Sequence, residues 1–130
     1  MTIEWESHPG EEQLHVVATT PEQVVAEVIA ALTTLVARDP GGEPAERTIS
    51  VTAEDRAGLL VELLGELIYL AETEGFVGDT ATVDLAERRL DAVLGGRLTT
   101  IDPLVKAATY HGLSFEQRGG AWHARIVLDV

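Results

Sequence analysis

The feature that most constrains the fold is a leucine-rich segment from about Asp55 to Thr73. Its apolar residues recur every three or four positions, which is the spacing of one side of an α-helix. The apolar face is wide, so this helix needs a large apolar surface to cover it. Gly75 follows the segment and predicts the helix end, because glycine readily adopts the left-handed conformation that closes helices. The apolar positions are Leu59, Leu60, Leu63, Leu64, Leu67, Ile68, Leu70 and Ala71.

A second helix is predicted from Thr20 to about Arg38. Thr20 is a suitable N-cap, Pro21 suits the first helical position, and Gln23 completes a capping box. The segment 39–42, Asp-Pro-Gly-Gly, cannot continue a helix, and we expect a loop from there through Pro44. One apolar stripe faces the core and contains Val24, Val25, Val28, Ile29, Leu32, Leu35 and Val36.

Period-two alternation of apolar and polar residues predicts strands elsewhere in the chain. The chain closes on a hairpin whose two runs, around Leu113–Phe115 and Trp122–Leu128, are joined by Arg118-Gly119-Gly120. Loops are predicted for Met1–Gln13 and for the stretch that begins at Gly95-Gly96. The other predicted strands are Leu14–Thr19, Arg47–Ala53, Thr80–Leu85, Arg89–Leu94 and Leu104–Thr109.

This order of elements predicts the fold class. Two helices separated by strands, then a run of strands, indicate an α+β protein in which helices pack on a mostly antiparallel sheet. We therefore expect a two-layer sandwich with two main helices, formed by a single domain over residues 1–130.

The charge balance restricts the classes of partner. Nine basic residues against twenty-two acidic ones give a formal charge of -13, so direct binding of nucleic acid is not expected. Such a chain suits a basic protein surface or cations, or the charge serves solubility alone. The chain contains no cysteine, which excludes disulfides and cysteine-ligated zinc. We find neither a membrane-spanning apolar run nor a signal pattern, and expect a cytoplasmic protein.

Motifs for catalysis are missing from the sequence. There is no phosphate-binding loop, dinucleotide fingerprint or nucleophile elbow. Gly95-Gly96 and Gly119-Gly120 are interpreted as turn glycines, and His15 and His123 as ordinary residues on strand faces. We do not expect an enzyme, and a metal-dependent hydrolase is disfavoured because no nucleophile or base accompanies the carboxylates. Composition and spacing indicate an acidic binding module.

The end of the chain carries a more specific signal. Lys106–Leu113 reads KAATYHGL, and Trp122–Val130 reads WHARIVLDV up to the last residue. These runs closely resemble the archease family, and the resemblance extends to Leu59–Tyr69 and Glu74–Val77. It implies a strand-helix-strand-strand core and a protein cofactor, not a catalyst. Its implied partner is an RtcB-type RNA ligase, whose guanylylation and multiple turnover it would promote in tRNA splicing or RNA repair.

The resemblance also implies a divalent-cation site. The family's ligands correspond to Asp129, Val130 as the C-terminal residue, and an N-terminal aspartate whose position is Glu11 here. Glutamate keeps the carboxylate but has a longer arm, which Ca²⁺ tolerates better than Mg²⁺ because Ca²⁺ takes about six to eight oxygen ligands in flexible geometry. We expect Ca²⁺, with Mg²⁺ and Mn²⁺ as alternatives. The alternative to such a site is that Asp129 ends a strand in solvent.

The resemblance further implies that Lys106, the only lysine of the chain, contacts the ligase or its nucleotide. His111 is a second candidate for this contact, although it and Tyr110 could instead pack or orient the strand. Lys106 could equally pair with a neighbouring carboxylate. The competing function is a diverged module that has kept the fold but lost the metal site and the ligase partner. The changed segment His8–Gln13 favours that alternative.

Overall fold

The computed structural model describes residues 2–102 and 105–130. These ranges contain seven strands and two helices. In chain order they are β1 Thr2–His8, β2 Glu11–Ala18, α1 Pro21–Val36, β3 Glu43–Thr52, α2 Arg56–Glu74, β4 Phe76–Leu85, β5 Arg89–Leu98, β6 Ala107–Arg118 and β7 Ala121–Asp129.

Both predicted helices are confirmed, Thr20 and Gly75 cap them as predicted, and Asp55 adds a cap that was not predicted. The Thr20 hydroxyl accepts a hydrogen bond from the Gln23 N–H at 3.1 Å. The Asp55 carboxylate accepts one from the Gly58 N–H at 2.7 Å. Gly75 closes α2 with a φ of 70°, and its N–H donates to the Ala71 carbonyl at 3.0 Å. Each cap satisfies main-chain groups that a helix end leaves unpaired.

The strands form two antiparallel sheets. One has four strands in the order β1-β2-β7-β6, and the other has three in the order β3-β5-β4. Both helices contact both sheets, and the buried residues of all layers form one apolar core. The predicted α+β class is confirmed, with the strands divided between two sheets. No helix in the described ranges is long and apolar enough to cross a membrane.

The four-stranded sheet has one apolar and one polar face. We call the face toward the helices the inner face. On it Leu14 lies opposite Ile126, and Val16 opposite Ala124, and all four side chains are at most 2% exposed. The opposite, outer face carries the alternate residues of the same strands. It is described below because it holds Glu11 and Asp129, two of the predicted site residues.

The predicted N-terminal loop is wrong. β1 pairs with β2 along its whole length, and Pro9-Gly10 forms the turn between them, where Gly10 has a φ of 77°. Every residue of β1 is exposed, and its apolar alternation is limited to Ile3 and Trp5, each 37% exposed. β1 is held by main-chain pairing at the edge of the sheet.

The loop predicted to begin at Gly95-Gly96 is also wrong, because both glycines lie inside β5. A Cβ on Gly96 would lie 1.9 Å from the carbonyl oxygen of Val77 on the neighbouring strand. Glycine therefore permits a close approach of β5 to β4, where the register also shifts between Gly78 and Thr80. β3 likewise begins at Glu43, within the segment predicted as a loop.

The closing hairpin is confirmed. Gly119 and Gly120 form its turn with φ values of 61° and 77°. The strand predicted at Leu104–Thr109 is continuous with the first hairpin strand, since β6 runs from Ala107 to Arg118 with a register shift between Thr109 and Ser114. Pro103 and Leu104 lie outside the described residues.

Candidate functional site

The outer face brings the N-terminal candidate ligand next to the C-terminal ones. Glu11 on β2 and Asp129 on β7 are directly opposite each other in the register, and β6 continues the row with Ala107. Residues directly opposite on antiparallel strands share a face, with Cβ atoms about 4.5–5.5 Å apart. The fold therefore places two carboxylates, separated by most of the chain, side by side at one end of the sheet.

Main-chain hydrogen bonds hold the end of the chain on both sides. The N–H of Val130 donates to the Gly10 carbonyl at 3.1 Å, and the N–H of Lys106 donates to the Asp129 carbonyl at 2.8 Å. The β1–β2 turn and the start of β6 thereby fix the last residues of β7. The order of this terminus follows from main-chain pairing and from the packing of Val130 against the core, so it is not evidence for a cation.

The donor atoms of this row suit a hard cation. Two carboxylates with main-chain oxygens and water are ligands that Ca²⁺ accepts in flexible geometry. In residues 2–102 and 105–130, no group of three or more His, Cys, Asp or Glu side chains is placed to hold a metal. Glu11 and Asp129 thus offer two side-chain ligands, and the main-chain carboxylate of Val130 is the further predicted one. The metal site stays a prediction.

His8 lies in register with Glu11, but its imidazole has another neighbour. Its Nε2 is 3.0 Å from Oε1 of Glu6 on the same strand. This contact directs the ring along β1. We do not add His8 to the candidate ligands.

Of the predicted contact residues, Lys106 lies beside this end of the sheet and His111 lies further along β6. Lys106 directly precedes β6, and His111 is part of the irregular stretch of that strand. Both are exposed, as is Tyr110. The Lys106 ammonium forms no salt bridge with a carboxylate of the described residues. Its predicted role stays a prediction.

A second cluster on the outer face was missed from the sequence. His15 on β2 and His123 on β7 lie 3.4 Å apart between Nε2 and Nδ1, with ring centroids 5.6 Å apart and planes inclined by 27°. Each histidine looks like an ordinary face residue in its own strand. The only sequence signal is that both fall on the polar side of an alternating strand, and it becomes informative once the strand order is known.

The surroundings of His15 favour its neutral form. Partial burial lowers the pKa of His15 first, and the positive charges of Arg125, His123 and Arg118 lower it further, while the Glu4 carboxylate acts in the opposite direction. Arg125 lies directly opposite His15 in the register, and Glu4 lies opposite on the other side. Unprotonated imidazole, the form that binds metals, is thereby favoured at neutral pH.

A family model matches nearly the whole chain. The model described as "Archease protein family (MTH1598/TM1083)" matches residues 4–130. An archease from Methanopyrus kandleri is 31% identical, in an alignment covering 97% of this chain and 99% of that protein. An archease from Pyrococcus furiosus is 34% identical over 65% of this chain and 67% of its own length. The alignment with the Methanosarcina mazei archease, at 30% identity, spans 65% of each protein.

Two solved structures have the same fold. Protein 1598 of Methanobacterium thermoautotrophicum superposes with a TM-score of 0.75 over 98% of each chain, at 24% identity. An archease from Thermotoga maritima superposes with a TM-score of 0.66 over 95% of this chain and 93% of its own, at 17% identity. At these identities the likeness concerns the arrangement of helices and strands.

Proposed function

The chain belongs to the archease family, and from this premise we propose that it is a protein cofactor of an RtcB-type RNA ligase. In this role it promotes guanylylation of the ligase and its multiple turnover in tRNA splicing or RNA repair. The observation that carries the proposal is the family match over residues 4–130, which includes the complete C-terminal run. The protein itself performs no chemical step.

The charge of the chain supports a protein partner over a nucleic acid. A formal charge of -13 is attracted to a basic surface, and an enzyme that binds RNA presents such a surface. Opposite charges raise the rate of encounter more than the final affinity, and salt screens them over about 10 Å at 0.1 M. Stimulation at low protein concentration should therefore weaken as salt is added.

We further propose that Glu11, Asp129 and the main-chain carboxylate of Val130 bind a divalent cation, with Ca²⁺ preferred and Mg²⁺ or Mn²⁺ as alternatives. The register pairing of Glu11 with Asp129 supports this, as do the hydrogen bonds that hold Val130 beside the β1–β2 turn. A bound cation would offset the repulsion between these anions and present a positive centre at the end of the sheet.

Lys106 extends the proposed contact surface. Its main-chain N–H donates a hydrogen bond to the Asp129 carbonyl, and its side chain is exposed. An ammonium of this kind binds phosphate or carboxylate groups as a point charge. We propose that Lys106, with His111 nearby, contacts the ligase or its bound nucleotide.

A ligase assay tests the proposed function. The protein is added to the RtcB-type ligase of the same organism, and joined RNA is counted per ligase molecule. We expect turnover to continue beyond one product per ligase, and Asp129→Asn and Lys106→Ala to lose most of the stimulation. Glu12→Gln is the matched control, because Glu12 lies on the same strand but points to the opposite face and accepts a hydrogen bond from Ser7. Equal turnover with and without the protein would overturn the proposal.

Calorimetry with Ca²⁺ tests the cation site separately. We expect heat of binding for the wild type and for Glu12→Gln, and none for Asp129→Asn. Glu11→Asp restores the shorter carboxylate that the family resemblance implies, and should strengthen Mg²⁺ binding because Mg²⁺ demands stricter geometry. Binding that is unchanged in Asp129→Asn, or missing in the wild type at millimolar Ca²⁺, would contradict the site.

One observation favours a second candidate, a diverged module of the same fold without ligase or metal. The segment His8–Gln13 departs from the family's metal motif, and the described residues hold no three-side-chain metal group. This module would neither stimulate the ligase nor bind Ca²⁺. Cleavage of RNA by the protein alone would instead support a hydrolase.

A further inference from the structure

The pair formed by His15 and His123 differs from the other polar contacts of the outer face. Two ring nitrogens, Nε2 of His15 and Nδ1 of His123, face each other at 3.4 Å across β2 and β7. Neutral imidazole carries one N–H and one lone pair, so the position of the protons decides the nature of this contact. It is a hydrogen bond if one of the facing nitrogens is protonated, and two opposed lone pairs if neither is.

Glu4 biases the position of one proton. Its carboxylate oxygen is 4.0 Å from Nδ1 of His15, the nitrogen that does not face His123. A carboxylate beside Nδ1 favours the tautomer with the proton there, as it does for histidines that bind metals. The lone pair of His15 Nε2 is then on the side of His123. The tautomer of His123 with its proton on Nε2 places a second lone pair, that of Nδ1, on the same side.

The distance between the facing nitrogens equals the distance expected between two nitrogen ligands of one metal ion. Two nitrogen atoms that each lie 2.0–2.1 Å from a tetrahedral metal ion are about 3.4 Å apart. We propose that His15 and His123 form a two-imidazole site for a divalent transition metal ion such as Zn²⁺, Ni²⁺ or Cu²⁺. The ion links β2 to β7, and water completes its coordination.

Some charged groups around the pair favour a bound cation and others oppose it. Glu4 is opposite His15 in the register and Glu116 is opposite His123, so both histidines have a carboxylate as neighbour. Arg125 and Arg118 oppose a cation, but their charges also keep His15 unprotonated and able to bind one. With two protein ligands in the described residues, the site is weak and exchangeable, which agrees with the lack of a three-side-chain group.

Solvent reaches His15 on the side of β1. A surface depression of about 290 Å³ is lined by His15 together with Glu4, Gln13 and Arg125. Water is therefore available at the His15 side of the pair to complete the coordination of an ion.

This site is distinct from the proposed calcium site on the same face. His15 lies four residues beyond Glu11 on β2, which is about 13 Å along the strand. The two sites also select different ions, because imidazole suits Zn²⁺, Ni²⁺ and Cu²⁺, whereas carboxylates suit Ca²⁺ and Mg²⁺. An excess of Ca²⁺ therefore occupies the carboxylate row and leaves the imidazole pair available.

The experiment is a Zn²⁺ and Ni²⁺ titration by calorimetry at pH 7.5 in the presence of excess Ca²⁺. We expect one equivalent to bind to the wild type, and His15→Gln and His123→Gln each to weaken binding about 100-fold, the loss expected when a two-point attachment becomes a single one. Glu4→Gln should weaken it about tenfold through the tautomer of His15. His111→Gln, which removes an exposed histidine outside the pair, should bind as the wild type does.

Copper supplies a second readout that does not depend on heat. The electron paramagnetic resonance spectrum of the Cu²⁺ complex should show coupling to two imidazole nitrogens in the wild type and to one in either single variant. Circular dichroism checks that the variants fold. The proposal is overturned if the wild type binds no transition metal, if the double variant His15→Gln/His123→Gln binds as well as the wild type, or if His111→Gln loses as much affinity as the pair variants.

Discussion

The two faces of the four-stranded sheet are made by alternate residues of the same strands, yet they differ in burial and in polarity. On the inner face, Ile126 is fully buried against the helices. One residue earlier, Arg125 is exposed on the outer face beside His15. The inner face therefore contributes apolar burial, while the outer face holds the carboxylates and imidazoles that the proposals use. Substitutions on the outer face should therefore change stability little, and substitutions on the inner face should leave the carboxylates and imidazoles in place.

The largest expected effect tests this division at two adjacent residues. Ile126→Ala removes buried methyl groups and leaves a cavity, so it should lower the free energy of unfolding by about 2–5 kcal/mol. Arg125→Ala removes an exposed side chain and should change it by less than about 0.5 kcal/mol. Urea denaturation of both variants measures the difference. Similar losses in the two variants would show that the outer face contributes to stability as strongly as the inner one.

The next effect compares two glycines, one inside a sheet and one in a turn. Gly96→Ala brings a Cβ within 1.9 Å of the Val77 carbonyl oxygen and 3.0 Å of the Gly78 Cα, which are main-chain atoms that cannot rotate away. We expect a loss at the upper end of about 1–3 kcal/mol, the usual range for overpacking. Gly119→Ala meets no atom within 4 Å and should lose only about 1 kcal/mol, from the left-handed backbone at a φ of 61°.

Thermal unfolding ranks these two variants directly. A larger loss for Gly119→Ala than for Gly96→Ala would show that β4 and β5 can separate at small cost. The strands would then be held less closely at Gly96 than the backbone distances indicate. The space around a glycine would then not predict which substitution lowers stability more.

The two Gly-Gly pairs to which these residues belong show what the sequence cannot predict. Gly95-Gly96 and Gly119-Gly120 look alike in the sequence, and both were predicted to lie in turns. Only the second pair does, because the first is required by the backbone of a different strand, Val77 on β4. A close approach between strands depends on their order and register, which local residue patterns do not contain.

Local signals were sufficient for the helices. Thr20 and Gly75 each act on main-chain groups within four residues, and their predicted capping roles are confirmed. β1 was missed because its local signal is short: only Ile3 and Trp5 alternate with polar residues, and all seven residues are exposed. A strand is predicted from apolar and polar residues that alternate over about four to eight positions. An exposed edge strand with only two such apolar residues gives too weak a pattern.

The candidate site follows the same rule. Glu11 and Asp129 were associated through the family resemblance, and the strand order places them in register. His15 and His123 were not associated by any pattern, because they are 108 residues apart and meet only across the β2–β7 pair. Long-range pairing therefore decides which polar residues form a cluster.

The smallest expected effect concerns the pH dependence of stability. It tests whether the outer face contributes to the free energy of unfolding. Burial, followed by the charges of Arg125, His123 and Arg118, lowers the pKa of His15 in the folded protein, and Glu4 only partly offsets this. The unfolded chain keeps the ordinary value of about 6.5. Between the two pKa values the unfolded state binds more protons, so the contribution is fully present above about pH 6.5 and is lost as the pH falls through the folded value.

His15→Gln removes this titration and should reduce the loss of stability between pH 7.5 and pH 5. Urea midpoints of the wild type and the variant at both pH values give the comparison, and acid effects of other groups cancel because both proteins share them. His111→Gln controls for the removal of an exposed histidine and should behave as the wild type does. If His15→Gln lost as much stability on acidification as the wild type, the environment of His15 would not disfavour its protonated form. The neutral imidazole on which the transition-metal site depends would then lack its electrostatic support.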